Sequence, residues 1–116
     1  IYHTDVLMYI GTDIIGICLD VIKPEYRNYV KEKVTAHHKV IELTSEQIQN
    51  FCGNAIEAKN DNDEVFLIIS STAFRALDSN QKEKLLESYK DIIHSEIPTI
   101  EKYGGGSARC MLTELF

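Results

Sequence analysis

The sequence predicts an α/β fold in which a strand-strand-helix-strand unit occurs twice and a third unit begins. Three observations carry this reading. Two β-branched runs, Asp13–Ile22 and Glu64–Ser70, have the length and composition of buried strands. A stretch with helix-period apolar residues follows each of them. Short polar sites, His3–Thr4–Asp5, Gly53–Asn54 and Arg109–Cys110, stand at the start of successive units, each followed by apolar residues.

Taken in order, Tyr2–Gly11 begins polar and turns apolar, as a strand entering a sheet would, and Thr12–Asp13 is a turn. Asp13–Ile22 is the first buried strand. Pro24 suits the first position of a helix, where its preset φ helps and its missing N–H costs nothing. Tyr26, Tyr29, Val30 and Val34 then form a helical stripe opposite a charged face. Lys39–Leu43 is a short strand, and Thr44 three residues before Gln47 is a capping-box pattern opening one or two turns through Phe51. The second unit repeats the order: strand Cys52–Ala58, polar turn Lys59–Asp63, strand Glu64–Ser70, and a helix from about Ser79 with Leu85, Leu86, Tyr89, Ile92 and Ile93 on one stripe. Ile97–Glu101 is expected as another short strand, with Pro98 marking an edge or a strand end. Tyr103–Gly106 leads into Ser107–Leu115 as a further strand. A period of roughly 50–58 residues means stacked or radial units that cannot each bury their own faces. Two units and a fraction leave sheet edges open, so the chain is expected to be cut from a larger ring.

The 116 residues suit one domain or a large piece of one. A net charge of −6 argues against nucleic-acid or anionic-membrane binding, both of which need concentrated Lys and Arg, and is compatible with cationic ligands. The longest apolar run, Ile14–Ile22, is broken by Gly16 and Asp20 and falls well short of the roughly 18 residues of a spanning helix. Cys18, Cys52 and Cys110 form no CxxC pair or ligand cluster, so neither a metal nor another cofactor is expected. Sparse, odd-numbered thiols point to a reducing compartment and a cytoplasmic placement. The chain starts at Ile1 rather than Met, which suggests trimming.

Aligning Asp5, Asn54 and Cys110 brings a carboxylate, an amide and a thiol to equivalent places, with the imidazole of His3 alongside. In a radial array equivalent positions converge on the axis. The segment Tyr-Gly-Gly-Gly-Ser-Ala-Arg-Cys-Met-Leu-Thr-Glu, residues 103–114, resembles the nucleophile segment of the cysteine-dependent guanidine-modifying superfamily of arginine deiminases and amidinotransferases. His-Thr-Asp at residues 3–5, Phe-Cys-Gly-Asn-Ala-Ile-Glu at 51–57 and Ile-Pro-Thr-Ile-Glu at 97–101 are similar to other stretches of the same C-terminal half. Their order looks most like the bacterial citrulline-utilisation hydrolase branch, and the resemblance covers essentially the whole chain.

The resemblance implies a five-fold α/β propeller, the pentein fold, with residues 1–116 as the C-terminal portion of its catalytic domain. It implies a small-molecule guanidino or ureido substrate and Cys110 as nucleophile, attacking the planar central carbon of the substrate. His3 would act as acid and then base. Asp5 would grip the guanidinium, because a carboxylate accepts two parallel N–H bonds from such a fork. The remaining acidic residues would come from the N-terminal half of the same enzyme, so this chain alone is expected to be inactive. Hydrolysis is favoured over amidino transfer, a non-catalytic propeller module is the reading from another class, and self-association is left open.

Plainer readings stand beside these. Cys18 and Cys52 are expected to be small buried hydrophobes. His37 and His38, and likewise His94, are expected at helix C-termini, where cationic groups suit the dipole. Asn54 either lines the pocket or makes a turn. Gly104–Gly106 is expected to permit close backbone approach beside the nucleophile. Arg109 is either a neighbour of the thiolate or a surface charge, and Glu101 either packs against the glycines or faces solvent, with solvent favoured.

Overall fold

A computed structural model describes residues 4–112, with the side chain of Asp5 outside the description. The repeated unit is present as two three-stranded sheets of the same design. In the first, β1 (Met8–Ile10) pairs antiparallel with β2 (Ile14–Ile17), which pairs parallel with β3 (Lys39–Glu42). In the second, β4 (Ile56–Lys59), β5 (Val65–Ser70) and β6 (Asp91–Ser95) repeat that order and those directions. A parallel pair needs a long crossover. Helix α1 (Pro24–Thr35) supplies it in the first unit, and α3 (Ser71–Ala76) with α4 (Ser79–Ser88) in the second. The link between units is α2 (Ser45–Gln49), opened by Thr44 and Gln47 in a complete capping box.

The two units share one core. Ile14, Ile41 and Leu43 from the first pack in the same cluster as Ala55, Leu67, Ile69, Leu85 and Ile92 from the second. Each fully buried aliphatic side chain contributes about 1.5–3 kcal/mol relative to exposure. The Tyr9 ring lies across Gly16, its cross-strand partner, at the place a Cβ would need. The hairpin of the first unit is tied to the second by Glu57, whose carboxylate accepts from the Thr12 hydroxyl at 2.7 Å and from the Thr12 N–H.

Several expected elements differ. Tyr2–Gly11 narrows to β1, preceded by a 3-10 turn at Thr4–Val6, and Asp13–Ile22 narrows to β2 followed by a 3-10 turn at Leu19–Val21. Helix α1 forms where Pro24 places it, but none of its residues is buried, and Tyr26 and Tyr29 of the expected inner stripe are exposed. The helix is anchored by Arg27, whose guanidinium donates to the carbonyls of Leu19, Asp20 and Ile22. Strand β4 starts at Ile56 rather than Cys52, because Phe51 adopts φ 64° and the chain turns, with the Asn54 N–H on the Phe51 carbonyl at 3.0 Å.

The second helical stripe ends early. Tyr89 is the C-cap of α4, and Ile92 and Ile93 belong to β6, where one points inward and the other outward. His94 therefore sits on a strand, not at a helix end, stacked on Phe74 and hydrogen-bonded to Ser71. Ile97–Glu101 is not a strand: Pro98 takes the first position of α5 (Pro98–Gly104), as Pro24 does in α1, and Gly105 closes it at φ 70°. Ser107–Leu115 is not a strand as far as Leu112; it folds as the short helix α6 (Ala108–Met111), and its last residues lie outside the described range. Among the described residues no helix is long and apolar enough to cross a membrane.

Candidate active site

Two glycine-dependent close approaches build the site. The first joins the units. A Cβ on Gly53 would lie 2.5 Å from the Val6 carbonyl oxygen, so the segment carrying Asp5 packs directly on the Gly53–Asn54 turn. The second shapes the surroundings of the thiol. A Cβ on Gly106 would lie 2.9 Å from the Cys110 sulfur, so only glycine leaves that volume to the side chain. The glycine run thus permits close approach beside Cys110, as expected, and Gly106 is the residue responsible.

Asn54, fully buried, bridges the second unit and the C-terminal segment. Its side-chain oxygen accepts from the Ser107 N–H at 3.0 Å, and its side-chain nitrogen donates to the Cys110 sulfur at 3.3 Å. The Cys110 N–H donates to the Ser107 carbonyl at 3.0 Å, which fixes the cysteine within one turn of that serine. Asn54 and Cys110, 56 residues apart, therefore meet as their alignment in the repeat predicts. Asn54 is both a turn residue and a neighbour of the thiol. Arg109 reaches back toward the Ala55 carbonyl at 3.5 Å. His3 and the Asp5 side chain lie outside the described residues.

Exposure separates the three thiols. Cys110 is exposed, whereas Cys18 and Cys52 are buried. Burial pushes the Cys52 thiol up to about 12, and its sulfur lies 3.4 Å from the Ala73 carbonyl oxygen, so it packs as an inert group. Among the described residues no cluster of three or more His, Cys, Asp or Glu could hold a metal ion.

Two residues of the site were not anticipated. Glu101 is buried at 6% exposure, not solvated, and its carboxylate accepts from the Ser107 hydroxyl at 2.6 Å. Ser107 is itself fully buried. The available signal was an acid ahead of a glycine turn that could fold it back on the following serine.

A sequence model of the family described as N,N dimethylarginine dimethylhydrolase, eukaryotic, matches residues 1–116. No curated protein matches the chain. Among solved structures, the chain is similar to ArgZ, an arginine dihydrolase from the ornithine-ammonia cycle in cyanobacteria, in its apo form. The TM-score is 0.71 at 18% identity, covering 98% of this chain and 17% of that one. The N-terminal domain of ArgZ, as a cysteine-to-serine mutant bound to substrate, matches with TM-score 0.67 at 24% identity, covering 93% and 36%. The same domain with an asparagine-to-serine change, covalently bound to a reaction intermediate, matches with TM-score 0.63 at 26% identity, covering 95% and 36%. The chain thus spans 17% of the first of these structures and 36% of the others.

Proposed function

We propose a function from one premise: the chain belongs to the eukaryotic N,N dimethylarginine dimethylhydrolase family, whose model spans residues 1–116. It is part of a cysteine-dependent hydrolase of a guanidino small molecule, with Cys110 as nucleophile. The observation that carries this reading is the exposed Cys110 sulfur held by the buried Asn54 amide, while the other two thiols are buried. The N-terminal domain of ArgZ, crystallised covalently bound to an intermediate, supports the same chemistry.

The Cys110 thiolate attacks the central carbon of the guanidinium and forms a tetrahedral centre. Collapse expels one nitrogen as an amine, which takes a proton from His3, and leaves a thiouronium on Cys110. His3 then takes a proton from water, whose oxygen attacks the same carbon. The second collapse breaks the C–S bond, restores the thiolate and releases a ureido product, the proton of the added hydroxyl passing to solvent as the C=O forms. Asp5 accepts two N–H bonds from the guanidinium, and Asn54 donates to sulfur. The remaining acidic groups come from the N-terminal half of the enzyme. The two units are successive blades of a five-fold propeller of which residues 1–116 form the C-terminal portion.

The test uses the whole enzyme with N,N-dimethylarginine, arginine and citrulline, with and without added primary amines. Amine-independent formation of citrulline and dimethylamine from dimethylarginine is the expected result. Strict dependence on an acceptor amine would make it an amidinotransferase, and turnover of citrulline alone would move it to the citrulline-utilisation branch. Full turnover by Cys110→Ser would sink the mechanism in every form.

A further inference from the structure

Glu101 lies on α5, away from the expected site residues, yet it is connected to Cys110 by an unbroken series of hydrogen bonds. Its carboxylate accepts from the Ser107 hydroxyl at 2.6 Å, the Ser107 N–H donates to the Asn54 side-chain oxygen at 3.0 Å, and the Asn54 side-chain nitrogen donates to sulfur at 3.3 Å. Glu101, Ser107 and Asn54 are all buried. An acid buried at a place where an aliphatic residue would pack carries a desolvation cost unless it is bonded.

The directions of these bonds are fixed by what each group can do. A backbone N–H can only donate, so the Ser107 N–H must meet the oxygen of the Asn54 amide and not its nitrogen. The nitrogen is then turned toward Cys110 and can only donate there. A hydrogen bond donated to sulfur is strongest when the sulfur carries charge, as it does when it attacks. The orientation depends on Ser107 staying where it is, and Ser107 follows the pliable glycines Gly104–Gly106. Its hydroxyl bond to Glu101 ties it back to α5 across those glycines, and its N–H bond ties it to Asn54.

We propose that Glu101 is a positioning residue for the nucleophile: by holding Ser107 it orients the Asn54 amide so that an N–H is aimed at the Cys110 sulfur. This rests on the hydrolase reading given above. Glu101 touches neither substrate nor thiol. What it supplies is an acceptor for Ser107, so Gln, which keeps a side-chain carbonyl at nearly the same place, can replace it, whereas Leu cannot.

The test needs no substrate. The whole protein is treated with iodoacetamide at neutral pH, and alkylation of the Cys110 peptide is followed by mass spectrometry. Cys18 and Cys52 are buried, so their continued protection reports that each variant remains folded. Asn54→Asp and Glu101→Leu are expected to slow Cys110 labelling about ten-fold, the scale of losing one hydrogen bond to a charged group. Glu101→Gln is expected to label within about two-fold of wild type, since its carbonyl still accepts from Ser107. In turnover assays Glu101→Leu should lower kcat with KM little changed. If Glu101→Leu exposes Cys52, Ser107→Ala takes its place, because it severs the same link while keeping the backbone N–H. Wild-type labelling in the folded variant of this pair would overturn the proposal, and so would equal slowing by Glu101→Gln and Glu101→Leu. These outcomes are separate from those for Cys110→Ser: labelling unaffected at Glu101 with turnover still dependent on Cys110 removes the positioning role and leaves the hydrolase standing.

Discussion

Gly106 shows how little room the nucleophile has. An added Cβ there would stand 2.9 Å from the Cys110 sulfur and 3.1 Å from its Cβ, so Gly106→Ala must displace one or the other. A misplacement of about 1 Å can cost about a hundred-fold in rate. Gly106→Ala in the whole enzyme is therefore expected to lose about that factor in kcat with little change in thermal stability. Activity within about three-fold of wild type would show that the thiol does not depend on that gap. A second residue prediction follows from the proposed chemistry. His3→Ala should leave a covalent adduct on Cys110 when incubated with a guanidino substrate, because breakdown needs the imidazole as base. The intact mass should rise by the transferred group, and turnover by His3→Ala at the wild-type rate would remove His3 from both proton transfers. At this scale, the meeting of Cys110 with Asn54 was legible in the sequence, because the repeat aligns the two positions. Glu101 and Ser107 were not: their contact is a tertiary fold-back across glycines, and no periodicity marks it.

Elements were legible where a local rule set them. Pro24 and the Thr44–Gln47 box open their helices because the cap chemistry is complete within four residues, and Thr44→Ala should cost about 1 kcal/mol in urea unfolding. Pro98 was read as marking a strand edge or end although it opens α5, because the same residue is tolerated at strand edges and at helix starts, and only the following turn decides. Ile92 and Ile93 extend the stripe of α4 by coincidence of spacing, and parallel pairing with β5 overrides it. Cross-strand packing was out of reach of pattern alone. The Tyr9 ring lies over Gly16, so Gly16→Ala forces the ring away from its place in the core, and overpacking of this kind costs about 1–3 kcal/mol. Pairing it with Tyr9→Leu should recover part of that loss, since the two residues are in contact. Strictly additive losses in urea titrations would show that the two positions act independently.

The two units behave as one body because their cores are continuous, and the groups buried at that junction give the whole molecule a dependence on alkaline pH. Tyr9 of the first unit, and Cys52 and Tyr89 of the second, all lie in the shared cluster. Burial pushes the Cys52 thiol from 9.0 up to about 12. Burial, and next the nearby Cys52, push the Tyr9 phenol up, and burial followed by the Glu57 carboxylate does the same to Tyr89. These groups ionise in the unfolded chain at lower pH than in the folded one. Below about pH 9 both states keep the Cys52 proton and its contribution is constant; between about 9 and 12 the unfolded state loses that proton first, so stability falls as pH rises. Urea midpoints measured at pH 7 and pH 10.5 should drop accordingly. Cys52→Ala removes one of the three groups and also the charge that would act on Tyr9. It should start from a lower midpoint because of the cavity, yet show a smaller drop between the two pH values. An equal drop in wild type and Cys52→Ala would mean that the alkaline loss arises elsewhere, and that the junction stays neutral for reasons unrelated to this thiol.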